Sequence, residues 1–445
     1  MKRRIAGSLA VIGAASLVLA ACGGSSDDSG SATSAAPSPT SEAPTTSEPA
    51  PSPDTECSND QLIIGTLLPA TGDLAFLGPP EYAGVDLAVE EIDAGGGVLG
   101  KPVINEFGDS GDTKTDLASQ TIDSHISKGV QVVIGAASSG VTSTILEKAT
   151  VQNGMLVISP ANTAPSLTTA PDDGLYFRTA PSDVLQGAIV AAEAIDLGFT
   201  AGATISRDDP YGNGLREAFV KDFEAAGGTI TSNLKYDPAA PSFEAEVAEI
   251  AAGNPEFVQV IGFDETTKLL QEMIKQGIGP QDVQVFLVDG NISTTAYADF
   301  PAGTMDGVIA TVPTGDPNSD IDAFNERLLS VDPDLTDFAY GAQAYDATML
   351  VAIAAQYAGC ADARAIANAL PIIANEAPGN EICKTWDECN AIIQAGGTPN
   401  YDGATGPLDF NEYGDPKAAT IAIVEYISNT EFEEIGQVTA EVPTP

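Results

Sequence analysis

Histidine occurs once and tryptophan once in 445 residues, cysteine five times, and only 18 lysines and arginines face 63 aspartates and glutamates. Each shortage excludes something. With His125 alone, and far in sequence from every cysteine, no group of imidazoles and thiolates has the tight spacing of a transition-metal site, so no metal or cofactor is expected. Asp123, Ser124 and His125 are the residue types of a hydrolase triad, but successive helix positions point in different directions and cannot converge on one substrate. His125 reads instead as a helix-surface residue among polar neighbours. A formal charge of −45 repels phosphate backbones, which excludes nucleic acid as a partner. Gly95 to Gly100 is glycine-rich but follows a helix rather than a strand, the context of a helix-ending turn and not of a dinucleotide fingerprint. Acids are so abundant that their pairing says little about acid–base chemistry.

The chain opens on Met1-Lys2-Arg3-Arg4 and an apolar run, Ile5 to Leu19, too short and too rich in small residues for a membrane span. Residues 1–21 read as an export signal. Leu19-Ala20-Ala21-Cys22 resembles a bacterial lipobox, in which Cys22 is acylated and becomes the mature N-terminus; ordinary secretion with an incidental cysteine is the alternative. More than one acyl chain would hold the protein at a membrane, which predicts a lipid-anchored location on the extracytoplasmic face. Gly23 to Glu56 contains no aromatic residue and no Leu, Ile or Val. Such a stretch cannot bury a core, so residues 22–56 read as the lipidated cysteine followed by a disordered tether. Loss of Lys2, Arg3 and Arg4 with the signal leaves 15 bases against 63 acids, a charge of −48. Four further cysteines suit two disulfides in an exported protein. Cys383 and Cys389 enclose a short loop holding Trp386 and are paired here, leaving Cys57 with Cys360; the two other partitions stay open on sequence alone.

From Cys57 onward the composition is globular and longer than one hydrophobic core usually serves, which predicts two domains. Apolar runs at Leu62–Leu68, Lys101–Phe107, Val130–Ile134 and Met155–Ile158 read as strands, and Tyr82–Ile92 and Lys114–Lys128 as helices. After Tyr176-Phe177-Arg178-Thr179 the alternation restarts. Helices are expected at Ser182–Leu197, Tyr211–Ala226, Ser242–Ala252 and up to Gln276, and strands at Ala201–Ser206, Thr229–Tyr236, Phe257–Gly262 and Val283–Val288. The fold class is α/β, with parallel sheets covered by helices.

Binding residues are easier to nominate than catalytic ones. The strand ending at Ile134 runs into Gly135-Ala136-Ala137-Ser138-Ser139-Gly140 and then a helix, and the strand ending at Ile158 runs into Ser159-Pro160-Ala161-Asn162-Thr163. Small side chains, hydroxyls and free N–H groups at a helix start suit an anion such as a carboxylate, although Ser138 and Ser139 could equally serve as helix caps. Adjacent strand ends are where open α/β sheets bind ligands. In the second unit two strands end at Phe263-Asp264 and Asp289-Gly290. An acid there could pair with an ammonium group, giving an amino acid held between two lobes; the plainer reading of Asp289 is a turn residue before glycine.

The runs IIGTLLPATGDLAFLG, YAGVDLAVEEIDAGGGVLGKPV, VISPANTAPSLT, YFRTAPSD, DDPYGNGLREAF and YDGATGPLDFNEYGDP resemble the type I periplasmic binding proteins, in the leucine/isoleucine/valine-binding branch, over Gln61 to about Ile427. The resemblance implies two Rossmann-like lobes with parallel sheets joined by a three-strand hinge. The lobes would be 57–179 with 311–405, and 180–310 with 406–445, the chain crossing near Thr179, Thr311 and Gly406 to Phe410. It implies a monomeric receptor, not an enzyme, that closes on a branched-chain or other neutral amino acid and delivers it to an ABC permease. By position Ser139 matches the carboxylate-binding serine, Ala161 and Thr163 its companions, and Asp289 the ammonium-binding acid, where amino acid binders often have Glu. Phe263 stands where the family usually has Tyr, Leu77 where a first-lobe aromatic is common, Tyr211 near the cleft and Tyr340 along the side-chain pocket. An amide, urea or small aromatic carboxylate, and a sensor without transport, are the alternative readings. A surface hydrolase would need a nucleophile–base pair that the sequence does not offer.

Overall fold

The computed structural model describes residues 57–444. The expected signal (1–21), the lipidated Cys22 and the tether to residue 56 lie outside the described residues. The first part of the chain runs β1 (Ile63–Leu67), α1 (Gly78–Ala94), β2 (Ile104–Glu106), α2 (Leu117–Lys128), β3 (Val132–Gly135), α3 (Ser139–Ala149), β4 (Leu156–Ser159) and β5 (Tyr176–Arg178). These strands form a parallel sheet in the order β2-β1-β3-β4-β5, with Ile64 opposite Val132 and Val132 opposite Leu156. Every residue of β3 and β4 is buried, as expected for strands covered on both faces. This is why they read as continuous apolar runs rather than alternating ones.

The second part contains α4 (Asp183–Asp196), β6 (Ala201–Arg207), α5 (Pro210–Ala225), β7 (Thr229–Tyr236), α6 (Glu244–Ala252), β8 (Phe257–Ile261), α7 (Thr266–Lys275), β9 (Gln284–Leu287) and β10 (Ile309–Thr314). The chain then returns to the first lobe with α8 (Ile321–Val331), α9 (Gly341–Ala358), α10 (Ala363–Ile373), β11 (Asn380–Cys383), α11 (Trp386–Gln394), β12 (Thr398–Gly403) and β13 (Gly406–Pro407). It ends in β14 (Ala418–Tyr426) and β15 (Phe432–Glu441), which complete a seven-stranded sheet ordered β15-β14-β10-β9-β8-β6-β7. β14 runs antiparallel to both neighbours, an edge that the strand–helix alternation of the sequence did not announce.

Two crossings differ from the expected positions. Thr311 lies inside β10, which pairs with β14 as far as Thr314 opposite Thr420, so the chain leaves the second sheet beyond Thr314. Gly406 and Pro407 pair with β12, and Leu408 and Phe410 belong to the first lobe's core, so the last crossing falls between Phe410 and Ala418. Backbone pairing and apolar packing fix these limits.

α9 is apolar almost all round and is buried over Gly341–Ala355, the pattern of a helix enclosed on every side. It packs against α1 so closely that a Cβ at Gly84 would stand 2.2 Å from the Gly341 carbonyl oxygen. His125 is a correction: it is fully buried, its Nε2 2.8 Å from the Thr66 carbonyl oxygen, beneath Gly65 and Gly108. It shares a face with Ala118 and Ile122, at helical spacing, and that face covers the sheet. Burial lowers its pKa, which favours the neutral ring. The cysteines pair Cys57–Cys360 and Cys383–Cys389, closing the partition that the sequence left open. Beside the first bridge, the Ser58 N–H and hydroxyl and the Asn59 amide all donate to the Asp362 carboxylate.

Candidate functional site

The turn after β3 and the turn after β4 are locked together by their own polar groups. Ser159 Oγ donates to the Ala136 carbonyl at 2.7 Å and accepts from the Asn162 N–H at 2.9 Å, while Asn162 Nδ2 donates to the Ala136 and Ala137 carbonyls. Ser138 caps α3, accepting from the Val141 N–H at 3.4 Å, and Ser139 Oγ accepts from the Ala164 N–H at 3.3 Å. Both serines therefore hold the turn in shape, yet a hydroxyl that accepts one bond keeps its proton to donate. The N–H groups of the first turn of α3, which have no acceptor within the helix, lie beside them. Thr163 Oγ is buried and has no hydrogen-bond partner.

Asp289 closes the opposite side. It follows β9 and is buried, with Oδ1 accepting from Gln186 Nε2 and the Tyr211 hydroxyl, both at 2.9 Å, and Oδ2 accepting from the Tyr340 hydroxyl at 2.8 Å. Tyr340 comes from the first lobe, so this bond spans the cleft. It stands at the N-cap of α9 with φ +60°, a conformation that a bulky side chain seldom adopts and that tends to occur at functional positions. Leu77, Ala161, Tyr211, Phe263 and Tyr340 meet in one apolar cluster between the lobes. Phe263 stacks on Tyr211 at 5.2 Å on one face and carries the Arg207 guanidinium 3.6 Å from its centroid on the other. Arg207 is itself held by Asp209 and Glu265.

Three residues near this cluster were not nominated from sequence. Asp183, at the start of α4, is fully buried and neither of its carboxylate oxygens has a hydrogen-bond partner. Gln186, one turn on, holds Asp289 with its amide nitrogen and leaves Oε1 unpartnered. Arg207 would have been found only by following strand β6 to its C-terminal end. The two buried cations here are committed, Arg207 as above and Arg178 to Asp415 at 2.6 and 2.8 Å.

Burial, and then the neighbouring Asp289 charge, push the Asp183 carboxyl well above the usual range, against opposing pulls from Thr163 and Arg178. Asp289 is also raised, by burial, with the bonds from Tyr340, Tyr211 and Gln186 opposing. Carboxyls raised above their unfolded value of about 3.9 hold more protons folded than unfolded, so their contribution to stability is greatest in acid and is lost as pH rises from there through the raised values. The ligand-free protein is therefore expected to lose thermal stability between about pH 4 and neutrality more steeply than Asp183→Asn. Equal slopes in a calorimetric pH series would show that Asp183 carries no such penalty.

Two α/β lobes joined by three crossings, with polar strand ends facing each other over an apolar cluster, define a class: a two-lobed binding protein. The sequence profile of the family described as "Periplasmic binding protein" matches residues 61–420. This chain belongs to that family, in its type I fold and its leucine/isoleucine/valine-binding branch. It is 27% identical over 365 residues to the chemotactic signal transduction system substrate-binding protein BasB of Halobacterium salinarum, covering 80% of this chain and 84% of that one. It is 26% identical over 389 residues to the leucine-, isoleucine-, valine-, threonine- and alanine-binding protein of Pseudomonas aeruginosa, covering 84% and 92%. In fold it resembles the branched-chain amino acid transporter substrate-binding protein LivJ of Streptococcus pneumoniae in complex with isoleucine, with a TM-score of 0.69, 21% identity and coverage of 86% and 99%. Among the described residues no helix is long and apolar enough to cross a membrane.

Proposed function

We propose that this protein captures an α-amino acid between its lobes and delivers it to an ABC permease, held at the membrane through acylated Cys22. The α-carboxylate is received by Ser138, Ser139 and Thr163 beside Ala161. The α-ammonium is received by Asp289 and Asp183, and Leu77, Tyr211, Phe263 and Tyr340 surround the rest. The observation that carries this reading is a buried pair of acids, Asp183 and Asp289, the first with only the Thr163 hydroxyl as a nearby donor and no well-formed hydrogen bond, while both nearby arginines are engaged. Such a pair calls for a cation with several N–H donors. An amide or urea supplies N–H donors but no carboxylate for the serines, and an aromatic carboxylate supplies the reverse. Closure is assigned to the three crossings, with the lobes otherwise moving as units.

A thermal-shift screen of the purified protein against the amino acids, amides and small carboxylates tests the reading. Ligand at a hundredfold over its dissociation constant stabilises by about 2.7 kcal/mol, so an amino acid is expected to raise the melting temperature by several degrees. Shifts produced only by compounds without an ammonium group would sink it. The likeness to BasB favours a second reading, in which the loaded receptor reports to a signal transducer rather than to a permease.

A further inference from the structure

Glu81 is a buried acid near the cleft that the proposed ligand, as drawn so far, does not use, and unlike Glu265 it has no cation beside it. It lies in the first turn of α1, fully buried, and neither carboxylate oxygen has a hydrogen-bond partner. Its N–H donates to the Leu77 carbonyl, so it stands one turn along from Leu77, a member of the interlobe apolar cluster. Residues four apart lie on one side of a helix. A Cβ at Gly341, the residue after Tyr340, would stand 3.0 Å from the carbonyl oxygen of the neighbouring Pro80, and the Glu81 charge is among those that hold the Tyr340 phenol above its ordinary range. Glu81 thus lies on the first-lobe side of the cleft, between Leu77 and the start of α9 from which Tyr340 reaches Asp289. Burial without a partner pushes its own carboxyl well above the usual range.

The hydrogen bonds do not balance with a simple amino acid. Glu81, Asp183 and Asp289 are three buried acids, and the two buried arginines nearby are spent on Asp415 and on Asp209 with Glu265. An amino acid with an aliphatic side chain brings its ammonium group to Asp183 and Asp289 but sets methyl groups against the Glu81 carboxyl, which has no partner. A buried acceptor left unmet is costly, whereas a charge-assisted bond to it is among the strong ones. We propose that the ligand carries a second nitrogen donor, an amine at the end of its side chain, which Glu81 receives; the solute is then a diamino acid rather than leucine, isoleucine or valine. This rests on the amino acid reading of the site.

Titration calorimetry of the purified protein with L-leucine, L-lysine, L-ornithine and 1,4-diaminobutane tests it, in the wild type and in Glu81→Gln and Glu81→Leu. A diamino acid is expected to bind more tightly than leucine by on the order of a hundredfold, with Glu81→Gln removing most of that margin and Glu81→Leu reversing it. Glu81→Gln keeps the side chain's shape, so a folding failure of Glu81→Leu would still leave a readable result. Leucine binding as tightly as the diamino acids, with no change in Glu81→Gln, would overturn the inference and leave the amino acid reading standing. Binding of diaminobutane alone would support Glu81 but overturn the carboxylate half of that reading. No binding by any of the four would overturn both.

Discussion

Asp289→Asn is expected to weaken amino acid binding by roughly two to four orders of magnitude while leaving the ligand-free protein as stable as the wild type or more so. Removing one partner of a buried ion pair costs about 3–5 kcal/mol, which converts to that range of affinity. The variant keeps the bond from Tyr211 at its one amide oxygen, while the Tyr340 hydroxyl, which donates to the other carboxylate oxygen in the wild type, has to turn and accept from the amide nitrogen. It also removes a buried charge from the empty site. Calorimetric titration together with a melting curve separates the two effects. An affinity within tenfold of the wild type would return Asp289 to the role of a turn residue before Gly290.

The second large effect concerns stability. Arg178 has no exposed surface and donates to both oxygens of Asp415, to the Thr168 hydroxyl and to the carbonyls of Asn162 and Ala164. Those carbonyls belong to the turn after β4, and Asp415 belongs to the segment that makes the last crossing. Arg178→Met is expected to cost about 3–5 kcal/mol in denaturant unfolding, because it strands a buried carboxylate. The double replacement Arg178→Met with Asp415→Leu should recover much of that loss, since an apolar pair leaves no charge unpaired. If the double variant were no better than the single one, the turn's carbonyl contacts would be the greater part of what Arg178 supplies.

Much of the fold was legible because parallel strands buried on both faces announce themselves as short β-branched runs. β7 spans Thr229–Tyr236, the limits read from sequence, and β3, β4, β6, β8 and β9 fall within two residues of theirs. The crossings were less legible, since a strand such as β10 that changes neighbours along its length carries no mark of where pairing stops. At the site, Ser139, Ala161, Phe263 and Asp289 could be nominated because each follows a strand. Asp183 could not, because an acid opening a helix looks the same whether it faces water or a closed cleft. Glu81 was hidden in the same way behind Pro79 and Pro80. The Arg178–Asp415 pair spans 237 positions and leaves no local trace in either run.

The clamp at the start of the described chain bears on how the receptor responds to force. Cys57 is bonded to Cys360 at the C-terminal end of α9, and Ser58 and Asn59 are fastened to Asp362 at the N-cap of α10. A pull applied at Cys57 is therefore received at the junction of α9 and α10 in the first lobe. The start of the described chain is thus fastened to the first lobe alone, at a point separate from the three crossings.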